Sequence, residues 1–134
     1  QALDMTRALL SEEGFEDKFG GSMHQQTAVQ YELEMLEAEL EAARLLVYKS
    51  AWMMDNKMPN SKEASMGKAK AGRIGNRISL KCVEICSMQG FSEEHLLEKF
   101  SRDSKILDIF EGTQQIQQLI VARQVLGKSS SDLK

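Results

Sequence analysis

Apolar residues recur along most of this chain at intervals of three and four, the spacing of a helix with one buried face. The longest such run is expected from about Gln25 to Lys57, where Val29, Leu33, Leu36, Leu40, Ala43, Val47, Ala51, Met54 and Met58 form one stripe. A helix of that length reaches on the order of 50 Å at 1.5 Å per residue, and Pro59 ends it. Asn60-Ser61 is read as the cap of a third helix, about Lys62 to Met88, with Ala71, Ile74, Ile78, Cys82 and Ile85 inward. Gly67, Gly72 and Gly75 interrupt it; glycines in a helix cost about 1 kcal/mol each, so close approach of a neighbouring helix is expected there. Gln89-Gly90 closes this helix, and Ser92 is expected to cap a short one from Glu93 to about Ile106, with Leu96, Leu97 and Phe100 inward. After a break at Glu111-Gly112, Thr113 caps a last helix from Gln114 to about Leu126, carrying Ile116, Leu119, Ile120 and Val121 and stopped by Gly127.

The two ends read differently. Ala2, Leu3, Met5, Thr6, Leu9 and Leu10 keep helical spacing from the first residues with no start signal before them, so this helix is expected to continue from a longer polypeptide. Residues Ser11 to Ser22, with Gly14, Gly20 and Gly21, predict a solvated loop tacked down by Phe15 and Phe19. The expected architecture is all-α, an up-down four-helix-bundle-like domain over residues 1–128, with a frayed, disordered tail over 129–134.

Composition agrees with one helical domain able to bury its own core: 134 residues, 42% hydrophobic, 28% charged and a single Pro. The net charge of −3 argues against a nucleic-acid partner. It also assigns the basic face of Lys70, Arg73, Arg77 and Lys81 to the acidic second helix, with Glu32, Glu34, Glu37, Glu39 and Glu41, or to solvent. Cys82 and Cys86 stand one helical turn apart with no second pair and no nearby His, which reads as reduced core thiols in a reducing aqueous compartment. Trp52 beside the long stripe is read as core or interface. No run approaches the ~18 apolar residues of a membrane span.

Little in the chain is pointed chemically. His24 and His95 lie on separate segments without ligand partners at useful spacing, so no metal site is expected, and there is no phosphate-binding glycine loop. The exception is Glu111-Gly112-Thr113. A carboxylate in a turn just ahead of a helix N-terminus is either a charge that complements the helix dipole for ~0.5 kcal/mol or a general base. Gly112 permits close approach of a ligand, and Thr113 through Gln115 are expected to open free N–H groups toward an anion or polar ring. The residues alone leave both readings of Glu111 open.

The stretch Arg102-Asp103-Ser104-Lys105-Ile106 through Phe110-Glu111-Gly112-Thr113-Gln114-Gln115-Ile116-Gln117 resembles the C-terminal signature of the acyl-CoA dehydrogenase family, Arg-Asp-Ala-Lys-Ile followed by Tyr-Glu-Gly-Thr-(Ser/Asn)-(Gln/Glu)-Ile. Gly90-Phe91, Glu98-Lys99, Ala43-Arg44, Ala51-Trp52 and Phe19-Gly20 extend the resemblance over essentially the whole chain. It implies the C-terminal helical-bundle domain of a flavoenzyme that desaturates acyl-CoA thioesters in fatty acid β-oxidation, whose other domains are not in this chain. Glu111 would then be the catalytic base that takes the α-proton, Gly112 would lie along the substrate thioester, and Thr113, Gln114 and Gln115 would contact FAD. The resemblance further implies an acyl-CoA substrate, a homo-oligomer formed through the helical domain, and a bacterial cytoplasm or a mitochondrial matrix as location.

Several positions depart from the family pattern. Glu16 replaces the Arg that reaches a neighbouring subunit's FAD pyrophosphate, and Gly21-Ser22 and Thr27 differ from the usual residues nearby. The flavin-contacting Gln-x-x-Gly-Gly-x-Gly reads Glu84-Ile85-Cys86-Ser87-Met88-Gln89-Gly90, and Gln118 replaces an Arg. Replacements at Glu16, Glu84, Ser87 and Met88 favour an alternative in which the parent is a non-catalytic homologue used in oligomer assembly, and an isolated helical bundle serving in assembly is the other alternative.

Overall fold

A computed structural model describes residues 1–15 and 26–132. Glu16, Phe19, Gly20, Gly21, Ser22 and His24 lie outside the described residues, and so do Leu133 and Lys134. Among the described residues five α-helices follow one another: α1 (Ala2–Glu12), α2 (Ala28–Asp55), α3 (Ser61–Phe91), α4 (Leu97–Leu107) and α5 (Gln114–Leu126). No strand occurs among the described residues. The all-α expectation holds, and the organising element is α3, which packs against each of the other four helices. One core results, with Leu3 and Leu9 of α1, Leu33 and Leu36 of α2, Ile74, Ile78, Cys82, Val83 and Cys86 of α3, and Leu97 of α4.

Charge pairing sets the α2–α3 register as the composition suggested. Arg77 pairs with Glu39 at 2.8 Å and Glu32 at 3.7 Å, and Lys70 reaches Glu39 at 3.4 Å. Each pair is partly exposed, so its stabilisation is at most ~1 kcal/mol; its larger effect is to favour one antiparallel alignment. The glycines mark close approaches. A Cβ at Gly67 would lie 3.5 Å from Val47 of α2, and one at Gly72 would lie 2.7 Å from the Leu107 carbonyl oxygen, where the end of α4 runs against α3. Ser104 is a small residue on the same α3–α4 seam, buried and hydrogen-bonded through its hydroxyl to Asn76 (3.3 Å) and the Ser101 carbonyl (3.1 Å).

Helix ends differ from expectation where side chains found other partners. α2 starts at Ala28 behind a capping box of Thr27 and Gln30 and ends at Asp55, about 42 Å by the helical rise. Its stripe is buried only in the first half: Val47, Ala51, Met54 and Met58 are exposed, and Met53 turns inward instead. The stripe positions average about 3.6 residues per step and so keep to one side of a straight helix; the second half is exposed because no described helix fully covers it. Asn60 occupies the N-cap of α3 without capping it, because its amide donates to the Ser50 carbonyl at 3.0 Å and fastens the α2 end. Ser92 does not start α4; it ends α3, its hydroxyl accepts from Glu94 N–H, and α4 begins only at Leu97. Leu97 is fully buried, whereas Leu96 points outward. At the far end, a 3-10 turn at Ser130–Asp132 stands where fraying was expected, held by the Asp132 carboxylate accepting from Ser129 N–H (2.7 Å) and hydroxyl (2.8 Å).

The buried thiols behave as core groups. Burial, the largest influence, raises both Cys82 and Cys86 above the usual thiol range, opposed by the Thr6 hydroxyl. A folded-state pKa above the unfolded one gives stability that is complete below the ordinary thiol range and is lost as pH rises through the folded value. Alkylation by iodoacetamide is therefore expected to be slow in the native protein up to mildly alkaline pH and to accelerate on unfolding in urea. Equal rates in both states would contradict a core location.

Near its end α3 bends sharply. Ser87 has φ 50° and ψ −123°, a conformation that side chains rarely adopt. The bend returns the chain against itself, so that Gly90 packs on the Val83 backbone. Such a conformation costs a non-glycine residue about 1–3 kcal/mol. Ser87→Gly is expected to raise the urea midpoint by an amount equivalent to ~1 kcal/mol or more; an unchanged midpoint would show that the bend is not strained.

Candidate active site

The α4–α5 connection is a compact turn. Phe110 N–H reaches back to the Ile106 carbonyl (2.9 Å), and Gln114 N–H donates to the Asp108 carbonyl (3.3 Å). Thr113 is the N-cap of α5, its hydroxyl accepting from Ile116 N–H at 3.4 Å, and Gly127 ends the helix in the left-handed conformation. These boundaries match the sequence expectation. Within the turn, Glu111 has φ 54° and Gly112 φ 100°. A Cβ on Gly112 would stand 2.8 Å from the side-chain amide nitrogen of Gln117, which can yield, so it is the backbone angle that calls for glycine.

This geometry places Glu111 at an exposed position ahead of the α5 N-terminus. Around it Ile106, Ile109, Phe110 and Ile116 are all roughly half exposed, an unusual apolar surround for a solvent-facing acid. Gly112 and Thr113 are half-buried beside it, Gln114 faces inward along α5, and Gln115 is exposed. One expectation needs correction: the Gln114 N–H is not free for a ligand, because the turn closes tightly enough for the Asp108 carbonyl to take it. Gln114 instead lines a groove of 420 Å³ between α2, α3 and α5 with Leu46, Met66, Lys70, Arg73 and Gln118.

Two side chains outside the expected site residues hold the turn. Lys68 of α3 donates its ammonium to the Gly112 carbonyl at 2.6 Å and lies 6.0 Å from the centroid of the Phe110 ring. Gln117 of α5 donates to the Glu111 carbonyl at 3.1 Å. Gln117 stands four residues after the cap, a position from which a side chain reaches back over the first turn, and this was the available clue. Lys68 is 44 residues from its acceptor, and no local pattern encodes that contact.

The second stretch with family-like spacing lies at the α3 bend. Glu84 is exposed and paired with Lys81, Met88 is almost fully exposed, and Ser87 adopts the backbone that a glycine would favour. The bend falls within this stretch, at the position where Ser87 stands for one of the pattern's glycines. Among the described residues no three His, Cys, Asp or Glu side chains converge as a metal site. No helix there is long and apolar enough to cross a membrane.

Comparison with known proteins agrees with this arrangement. Residues 2–126 match the model of the acyl-CoA dehydrogenase C-terminal domain. The chain is 39% identical over 111 residues to the caffeyl-CoA reductase–Etf complex subunit CarC of Acetobacterium woodii, covering 83% of this chain and 29% of that protein. It is 37% identical over 108 residues to the bovine mitochondrial short-chain specific acyl-CoA dehydrogenase, covering 81% of this chain and 26% of the relative. The butyryl-CoA dehydrogenase structure from Megasphaera elsdenii superposes with a TM-score of 0.74 at 29% identity, over 93% of this chain and 34% of that one. The chain thus spans about a third of the proteins it matches. Matched along nearly its whole length, with the Glu-Gly-Thr turn in place at the head of α5, the chain belongs to the acyl-CoA dehydrogenase family as its C-terminal domain.

Proposed function

We propose that this domain supplies the catalytic base, Glu111, to a full-length FAD-dependent enzyme that desaturates an acyl-CoA thioester between Cα and Cβ. The observation that carries the reading is the Glu111 turn itself: a carboxylate in a left-handed backbone, exposed among apolar side chains at a helix N-terminus. An acyl chain covering Ile109, Phe110 and Ile116 would strip water from Glu111, and a desolvated carboxylate is a stronger base. Glu111 would take the α-proton as the β-hydrogen leaves with its electron pair, the Cα–H electrons forming the double bond. Gly112, without a Cβ, lets the thioester lie along the turn.

Bound FAD supplies the acceptor for the hydride. Its fit can be judged at two places. At the head of α5, Thr113, Gln114 and Gln115 offer polar side chains beside a positive helix end. At the α3 bend the backbone of Ser87 is one that glycine would favour, while Glu84, engaged with Lys81, and the side chains of Ser87 and Met88 stand where the pattern has Gln and two glycines. The first place supports FAD contacts from this chain, and the second narrows them to the α5 end. The exposed apolar residues Tyr48, Trp52 and Met54 of α2 and Val125 and Leu126 of α5 support a homo-oligomer through this domain.

The test is flavin colour. Full-length protein should carry a visible flavin band that bleaches on addition of an acyl-CoA, and Glu111→Gln should keep the band and lose the bleaching. A colourless parent that still oligomerises would replace this reading with an assembly role. The Acetobacterium relative is named as a reductase subunit, so the same bond handled in the reductive direction is the second reading. Reoxidation of the reduced flavin by an enoyl-CoA, faster than bleaching by the acyl-CoA, would favour it.

A further inference from the structure

Glu111 is one of three non-glycine residues with positive φ among the described residues, and it is the only acid of the three. A side chain in that conformation persists where its surroundings over-determine it. Here the surroundings can be named. Consecutive carbonyls, of Glu111 and Gly112, each accept from a side chain of a different helix: Gln117 from α5 at 3.1 Å and Lys68 from α3 at 2.6 Å. Lys68 is half-buried, and α3 is the helix against which all others pack, so its ammonium ties the turn to the most fixed element of the domain. The same ammonium approaches the ring of Phe110, on the other side of Glu111 in sequence, at 6.0 Å. Glu111 is therefore bracketed by two contacts of one cation, while its own carboxylate makes no hydrogen bond or ion pair with any described residue.

We infer that Lys68 is a positioning residue for the proposed base: its hydrogen bond to the Gly112 carbonyl, with Gln117 on the preceding carbonyl, fixes the left-handed turn that aims the Glu111 carboxylate. The inference rests on the reading of Glu111 as the base. A neutral donor in place of Lys68 would hold the carbonyl more weakly, and an apolar side chain would not hold it at all. Without it the Gly112 carbonyl loses its donor and the turn can relax, and displacement of a reacting group by about 1 Å can cost on the order of a hundredfold in rate.

The experiment uses the full-length holoprotein. Lys68→Met, similar in length and uncharged, is expected to lower kcat on the order of tenfold to a hundredfold, with KM for the acyl-CoA and the flavin content at wild-type values. Lys68→Arg, which keeps a charged donor, should recover most of that loss. Wild-type kcat in Lys68→Met overturns the inference, and so does a loss accompanied by a raised KM and reduced flavin content, which marks general packing. If Lys68→Met does not accumulate as folded protein, Gln117→Leu decides: reduced kcat at constant KM supports the clamp, and wild-type kcat overturns it. Glu111→Gln separates the two levels. Activity retained there sinks the base assignment and the clamp with it, whereas an inactive Glu111→Gln beside a fully active Lys68→Met sinks only the role of Lys68.

Discussion

Glu111→Gln in the full-length protein is expected to lower the rate of acyl-CoA-dependent flavin bleaching by about 10²–10⁴-fold, the range that a positioned general base contributes. Gln is close in shape and tolerates the φ of 54° about as well as Glu does, and the bonds that hold the turn go to backbone carbonyls rather than to the carboxylate. The substitution therefore removes the proton acceptor and leaves the turn and the α5 cap in place. KM should change little, because binding of the acyl chain relies on apolar contact and on Gly112. Stopped-flow bleaching at saturating substrate measures the effect, with retained flavin absorbance as the control for folding. A Glu111→Gln protein that bleaches at the wild-type rate would return the residue to the role of a charge complementing the α5 dipole, which the residue pattern alone leaves open.

Gly90→Ala is expected to be the most damaging of the glycine substitutions. Its new Cβ would stand 2.4 Å from the Val83 carbonyl oxygen, 2.9 Å from Val83 Cα and 3.0 Å from Val83 C, all backbone atoms of a buried residue. No flexible side chain can yield there, so the bend at Ser87 or the end of α3 must open. Overpacking of this kind costs about 1–3 kcal/mol, and a clash with fixed backbone belongs at the upper end or beyond. Urea unfolding followed by helical circular dichroism measures it. Gly75→Ala is the internal comparison: its Cβ meets only the Leu107 side chain at 4.0 Å, and the gain in helix propensity is up to about 1 kcal/mol. Equal midpoints for the two variants would contradict the close approach at Gly90.

Much of the candidate site was legible because it is local. Thr113, Gln114 and Gly127 mark a cap, a first turn and a left-handed stop within one stretch, and the helix they delimit is the one observed. The complementary charges of α2 and α3 were equally readable, since both faces are set by helical spacing along single segments. Gly67 and Gly72 announced close approaches because a glycine in a helix needs some compensating contact, although their partners, Val47 and the Leu107 carbonyl, could not be named beforehand. Ser92 shows the opposite case: the residue type suits a helix start, and the structure uses it for a turn that ends α3. Asn60 likewise spends its amide on Ser50 of another helix.

By itself the sequence determined the helical class and the end and start of the last two helices around Glu111, and it offered α2 as one of two partners, with solvent, for the basic face of α3, because helix propensity, capping and charge spacing act over a few residues. Only the tertiary structure decided which half of the long α2 stripe is buried, that the chain bends at Ser87, and that Lys68 reaches across 44 residues to the Gly112 carbonyl. Those outcomes depend on how rigid helices cross and where their ends meet. Such geometry comes from packing four helices around α3, and no stretch of residues records it locally.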